Sequence, residues 1–402
     1  MLGPRPLLAA LLAAAALFAA ACGSSDNDPD AESTPAPQVG VKGEQEDAAD
    51  DLGYPAFATK NTTRVGGADA VANAAAVARA VFPDPARKPK AIALVDKDDW
   101  QGGVAAAALM AEPIGAPILL SDGDELPQAT KDALAALAPT GSKETGNAQI
   151  IRIGNVPQAE GLRTTDVTGK DAGEIAARID ALVSAARGKT STSIVVTGNA
   201  QAGIAAPAAG WAAKSGDPVL FTDRDALPAP TRQAIARHDR PKIYVLGDDA
   251  VVSAKVERQL DKLGTVERIE DGTDPVAGSI AFARYVDGAF GWGVVDPGHG
   301  LVLVNAERPM DAVAAAPLSA TGTYGPLLLH TGGTALPKPL ESYLLDIQPG
   351  YRQDPVRGVY NHGWVIGDES AMSTAVQGRL DALLEITRIK TSEPENESAP
   401  SS

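Results

Sequence analysis

Four markers recur three times in fixed order along this 402-residue chain, and that repetition limits the fold more than any single motif does. The first is Gly-x-Asp, at residues 67–69, 169–171 and 272–274. The second is a β-branched run at 91–96, 193–198 and 301–306. The third is an apolar run entered through Pro117, Pro218 or Pro326 and left through a Leu-Pro step; its first copy reads APILLSDGDELP. The fourth is a run ending in glycine, at 150–155, 243–248 and 363–368.

Between the markers the spacing predicts helices. Apolar residues fall at i, i+3 and i+4 after each Gly-x-Asp, and the Asp is placed to cap the helix it opens. Alanine-rich segments follow the second marker, and helices with proline in their first turn follow the third. Each copy therefore reads helix, strand, helix, strand, helix, strand. The strands are continuous apolar runs, the pattern of parallel strands buried on both faces. The predicted class is α/β, in three small open domains of about 100 residues each.

The ends read differently. Residues 7–21 are apolar throughout, short of the roughly 20 a membrane span needs, and precede Cys22, the single cysteine. Alanines followed by a lone cysteine resemble the bacterial lipoprotein signal, which implies a lipid (palmitate) on Cys22, a membrane anchor and an extracytoplasmic location. The expected organisation is a signal peptide 1–21, a disordered acidic tether 22–61, repeats at 62–163, 164–266 and 267–387, and a disordered tail 388–402. The tether holds nine acidic residues against Lys42 and Lys60, and too little apolar surface to offset its ordering entropy.

The order of markers resembles the cell wall binding repeat 2 family of bacterial surface proteins. Arg64, Gly67 and Asp69 match its opening, residues 117–120 (PILL) its second strand, Asp311 and Ala312 its central helix, and 245–256 and 365–376 its close. Ala70, Ala172 and Pro275 stand where the family has an arginine after Gly-x-Asp. The resemblance implies Rossmann-like or Toprim-like domains in pseudo-threefold packing, binding an anionic wall polysaccharide or peptidoglycan-linked polymer without catalysis. The residues it nominates are Arg64, Asp69, Pro117, Leu119, Leu120, Pro218, Pro326 and Asp311.

Charge complicates that partner. The chain carries a net −16, and residues 62–387 alone hold 30 basic against 39 acidic side chains. This balance argues against nucleic acid, and a polyanion would need a local basic patch or bridging cations. Arg64, Arg152, Lys242 and Arg268 flank recurring strands and are the candidates.

Signs of catalysis are weak. Three of the four histidines, His299, His330 and His362, sit in the third copy, but the strand assignment puts His330 at the opposite edge from the other two, roughly 15 Å away for a five-residue strand. Asp122/Asp124 and Asp223/Asp225 follow the third marker in two copies, where Toprim enzymes hold Mg²⁺; the third copy has His-Thr-Gly-Gly-Thr instead, and such aspartates suit turns. No nucleophile elbow, Walker loop or dinucleotide fingerprint occurs, and no cofactor is implied. Two other readings stay open: a solute-binding lipoprotein of a transporter, and an exported interaction scaffold.

Overall fold

The computed structural model describes residues 56–269, 272–321 and 324–389. The apolar leader, Cys22, the tether up to residue 55 and the tail from residue 390 lie outside the described residues.

The first pass of the chain runs β1 (Ala56–Ala58), β2 (Thr62–Val65), α1 (Ala70–Val81), β3 (Ile92–Asp96), α2 (Trp100–Ala106), β4 (Ile118–Ser121), α3 (Gln128–Leu137) and β5 (Ile150–Ile153). The second runs β6 (Thr164–Val167), α4 (Ala172–Arg187), β7 (Ser193–Gly198), α5 (Ala202–Ser215), β8 (Val219–Thr222), α6 (Ala229–Ala236), β9 (Lys242–Leu246) and α7 (Ala254–Leu260). The third opens with β10 (Thr265–Ile269) and α8 (Pro275–Arg284), then a hairpin of β11 (Val286–Asp287) and β12 (Phe290–Gly291). It continues with β13 (Gly300–Asn305), α9 (Pro309–Ala315), β14 (Leu327–His330), α10 (Lys338–Asp346), β15 (Gly350–Tyr351), β16 (His362–Ile366), α11 (Thr374–Leu384) and β17 (Thr387–Arg388).

Three main sheets result, in the orders β4-β3-β5-β6, β8-β7-β9-β10 and β14-β13-β16-β2-β1. Every neighbouring pair is parallel except β1 with β2. The α/β class with mainly parallel sheets, in tandem copies, is as the sequence predicts. Central strands β3, β7 and β13 are buried along almost their whole length, as the uninterrupted apolar runs require.

The fourth strand of each sheet is the part the repeat pattern did not foretell. β6 and β10 each sit just ahead of a Gly-x-Asp marker, yet pair with the sheet of the preceding copy. β2 does the same across the ends of the chain: it pairs with β16, and so completes the third sheet with the first strands of the fold. The three copies are thereby interlocked in a closed cycle. Residues 56–61, at the end of the expected tether, belong to this sheet through β1 and its turn into β2.

The markers acquire physical roles. Asp69, Asp171 and Asp274 cap α1, α4 and α8, each accepting a backbone N–H of the first turn at 2.8 Å. The carbonyls of Pro117, Pro218 and Pro326 each accept the N–H of a central-strand residue, Ala93, Val195 and Val302, at 2.9–3.0 Å. Proline suits that place, because β4, β8 and β14 are edge strands. Pro127, Pro228 and Pro337 stand at the N-caps of α3, α6 and α10.

Helices α2, α5 and α9 form the centre, packed against one another. Small residues make this possible. A Cβ built on Gly103 would lie 2.6 Å from Val313 Cγ1, and one on Gly210 would lie 2.8 Å from Ser319 Oγ. The alanine and glycine richness of the chain is thus a packing requirement at its axis. On one side the β11–β12 hairpin buries Phe290 flat on Tyr244, with ring centroids 3.5 Å apart.

Candidate functional site

The residues nominated by resemblance are not brought to one place: Asp69 and Asp311 lie beyond the C-terminal ends of β2 and β13, whereas Pro117, Pro218 and Pro326 precede the N-terminal ends of β4, β8 and β14. Most are buried. Leu119 and Leu120 are fully enclosed in β4. Pro117, Pro218 and Pro326 shape the start of the edge strands, and Asp69 is spent on its helix cap.

Arg64 lies on β2 beneath the loop that joins β16 to α11. Its guanidinium donates to the carbonyls of Gly367 (2.9 Å), Asp368 (2.8 Å) and Met372 (2.7 Å) and to Gln377 Oε1 (2.9 Å). Burial lowers its pKa, against the opposing pull of Glu369 and Asp368. Arg268, on β10, repeats the arrangement one copy earlier. It donates to the carbonyls of Gly247 (2.6 Å) and Val252 (2.8 Å) and pairs with Glu257. These acceptors occupy the equivalent places in the loop and helix after β9. The first copy has no closing helix between β5 and β6, and Asp166 takes the arginine's place, paired with Arg152 at 3.1 Å. The arginine is therefore the clasp for a closing helix, present where the helix is present.

Asp311 sits at the junction of the third copy with the first, 1% exposed. It accepts from Asn73 Nδ2 at 2.8 Å and lies 2.8 Å from Arg308 Nε. Burial pushes its carboxyl up to about 6, outweighing Arg308. Arg308 also donates across the junction to the Ala68 carbonyl at 2.9 Å. In the first copy Gly102 stands at the place of Asp311, and Asp99, three residues earlier, caps α2 by accepting from Gly102 N at 2.8 Å; burial raises its pKa.

Around these buried groups the loops at the C-terminal strand edges are acidic. Asp122 pairs with Lys97 at 3.4 Å, Asp223 accepts from Asn199 at 2.6 Å, and Asp225 pairs with Arg224 at 2.7 Å. Asp122, Asp223 and Asp225 are thus engaged in hydrogen-bond and ion-pair contacts. No cluster of three potential metal ligands occurs among the described residues. His330 ends β14 and His362 begins β16, so the two stand at opposite edges of the sheet; His362 N donates to the His299 carbonyl at 3.0 Å. Lys242, the last basic candidate, pairs with Asp287 at 2.6 Å.

Comparison with known proteins finds one segment match and a shared fold. Residues 166–257 match the family model described as Cell wall binding domain 2 (CWB2). That segment runs from within β6 to Glu257, the partner of Arg268, and so spans the Asp171 cap, strands β7, β8 and β9 and the first turn of α7. The amidase enhancer of Bacillus subtilis (strain 168) is 27% identical over 188 residues, covering 46% of this chain and 25% of that protein. Two solved structures share the fold. Cwp8 from Clostridium difficile superposes with a TM-score of 0.60 at 20% identity, over 80% of this chain and 52% of its own. Cwp6 from Clostridium difficile gives 0.63 at 18% identity, over 82% and 48%. The chain thus spans about a quarter of the amidase enhancer and about half of each Cwp structure.

The strands β2, β6 and β10 escaped sequence reasoning. Their signal was present, as Thr-Thr-Arg-Val, Thr-Thr-Asp-Val and Thr-Val-Glu-Arg-Ile ahead of each Gly-x-Asp. Four or five residues rich in polar side chains, buried in β2 and partly exposed in β6 and β10, did not resemble the apolar runs beside them.

Proposed function

We propose that this chain is a non-catalytic surface protein that holds cell-wall polymer non-covalently through its three repeats, 62–163, 164–266 and 267–387, and is tied to the membrane by a lipid on Cys22. The observation that carries the reading is the CWB2 match over the second copy, joined to two further copies of the same sheet, caps and edge-strand prolines. The engagement of Asp122, Asp223 and Asp225 in turns and ion pairs supports a binding role rather than a hydrolytic one.

In this reading Arg64, Pro117, Leu119, Leu120, Pro218, Pro326 and Asp311 act from beneath the surface, and the exposed Asp69 acts through its helix cap. They support the polymer-binding surface by fixing strands, caps and junction loops. The loops themselves are acidic, so an anionic polymer meets them through bridging cations or binds elsewhere on the molecule.

Cosedimentation of the full-length protein with isolated wall sacculi tests the binding, with substantial retention expected and negligible retention overturning it. Metabolic palmitate labelling tests the anchor: label lost in Cys22→Ala supports it, and label retained refutes it.

A further inference from the structure

The acidic loops occupy one end of the three-helix centre. At the other end α5 stops at Ser215, and α2 and α9 tighten into the short 3₁₀ turns Ala107–Met110 and Ala316–Ala320. A cavity of about 420 Å³ opens where these ends converge. That volume falls within the range of small-ligand sites, about 300–1,000 Å³. Its lining brings together Lys88, Lys90, Arg187 and Lys214, against the single carboxylate of Glu112. In a chain of net charge −16 this is a local reversal of sign.

Two of the four cations are held in place by the fold. Arg187 donates to the Ser215 carbonyl at 2.6 Å and the Glu112 carbonyl at 3.2 Å. Lys90 donates to the Pro113 carbonyl at 2.6 Å and lies 3.3 Å from Glu112. Complementing helix C-termini accounts for Arg187. It does not account for the other two. Lys88 is exposed in the loop after α1 and makes no ion pair among the described residues. Lys214 is half-buried, and burial pushes its pKa down. Its ammonium lies 4.7 Å from the ring centres of Trp292 and Tyr324 and 5.2 Å from that of Trp211, with no carboxylate at ion-pair distance among the described residues. Aromatic faces stabilise such a charge without neutralising it.

We propose that this axial cavity is a binding site for a phosphate group carried on a sugar, with Lys88 and Lys214 as its ion-pair partners and Arg187 and Lys90 fixing the rim. It deepens the wall-polymer reading and rests on it for the source of the ligand. It also removes the conflict between an acidic protein and an anionic polymer, because the polymer then meets the molecule at its basic end.

The test uses the full-length protein and glucose 1-phosphate as probe, with glucose and inorganic phosphate as controls. Binding is read by calorimetry and by the fluorescence of Trp211 and Trp292 beside Lys214. Glucose 1-phosphate is expected to bind, more tightly than either control, and to weaken as salt rises. Lys88→Glu and Lys214→Gln should each weaken it about tenfold or more. Lys88 is exposed, so Lys88→Glu remains informative if Lys214→Gln folds poorly. Equal affinity of both variants and wild type for glucose 1-phosphate would overturn the site, as would inorganic phosphate or glucose binding equally well. Equal retention of wild type and variants on sacculi overturns this inference and leaves the polymer reading intact. Loss of wild-type retention with glucose 1-phosphate binding preserved overturns the polymer reading alone.

Discussion

Arg64 donates to the carbonyl of Met372 at 2.7 Å, and so fastens the second strand of the fold to the loop that opens its last helix. With its bonds to Gly367, Asp368 and Gln377, this one guanidinium closes a cycle that runs from one copy to the next and back to the first. Thr59 and Asn61 reinforce the closure through Asp381 on α11. Replacing Arg64 by leucine leaves several buried acceptors without a donor, each costing about 1–3 kcal/mol. We expect Arg64→Leu to lower unfolding free energy by about 3 kcal/mol or more in urea titrations. A loss below about 1 kcal/mol would contradict the clasp. Arg268→Leu should behave similarly, whereas Asp166→Ala, in the copy without a closing helix, should cost about 1 kcal/mol or less.

Two buried groups in the third copy impose opposite pH dependences. Burial lowers the pKa of His330 to about 4, helped by the charge of Arg64 and opposed by a contact with the Gly332 backbone. Its folded value lies below the unfolded value of about 6.5, so the unfolded chain binds the proton more readily. Stability from this group is complete above that pH and is lost as pH falls from about 6.5 toward 4. Asp311 acts in the other direction. Its folded pKa of about 6 exceeds the unfolded value near 3.9, so its contribution is complete below about 4 and is lost as pH rises through 6. The two slopes offset each other in the wild type. His330→Leu should leave stability rising as pH falls from 6.5 to 4, and Asp311→Asn should leave it falling. Thermal unfolding across that range reads both, and unchanged slopes would refute the assignment.

His238 gives a third pH signature, in the second copy. Its ring nitrogens face the Ser191 carbonyl at 2.8 Å and the buried Asp180 at 3.1 Å, and Asp180 also accepts from Arg237 at 2.9 Å. Burial alone would lower its pKa, but the hydrogen bond and charge of Asp180 outweigh burial and raise it. A raised folded value means stability that is complete below the unfolded pKa and is lost as pH rises through the folded one. His238→Gln should therefore cost more stability at pH 5.5 than at pH 8.5. An equal loss at both would show that only packing is at stake.

The axis depends on glycine. At Gly210 a Cβ would press on Ser319 and on Leu327, so Gly210→Val should cost about 1–3 kcal/mol by overpacking. Gly278, on α8, has open space around its Cβ position. Gly278→Ala should be neutral or gain up to about 1 kcal/mol from helix propensity. Comparable losses at the two sites would contradict close packing at the axis.

How much of this was legible beforehand follows from where each signal resides. Buried strands declare themselves through uninterrupted apolar runs, and Asp69, Asp171 and Asp274 through their place ahead of an amphipathic stretch. The prolines at 117, 218 and 326 were visible as markers, though their tie to the central strand was not. Strand exchange between copies was hidden, because a half-exposed run such as residues 164–167 does not state which neighbour it pairs with. Arg64 was nominated as a contact for polymer; its four acceptors lie more than 300 residues away, and no local pattern reveals them. The axial cavity was equally hidden, since Lys88, Arg187 and Lys214 meet only when the central helices end together.

The most direct measurement is cosedimentation of the full-length protein with matched sacculi, intact or stripped of their phosphate-bearing secondary polymer by mild acid. We predict retention on intact sacculi and affinity about tenfold or more weaker on stripped ones. Equal retention on both, or negligible retention on both, would contradict the account.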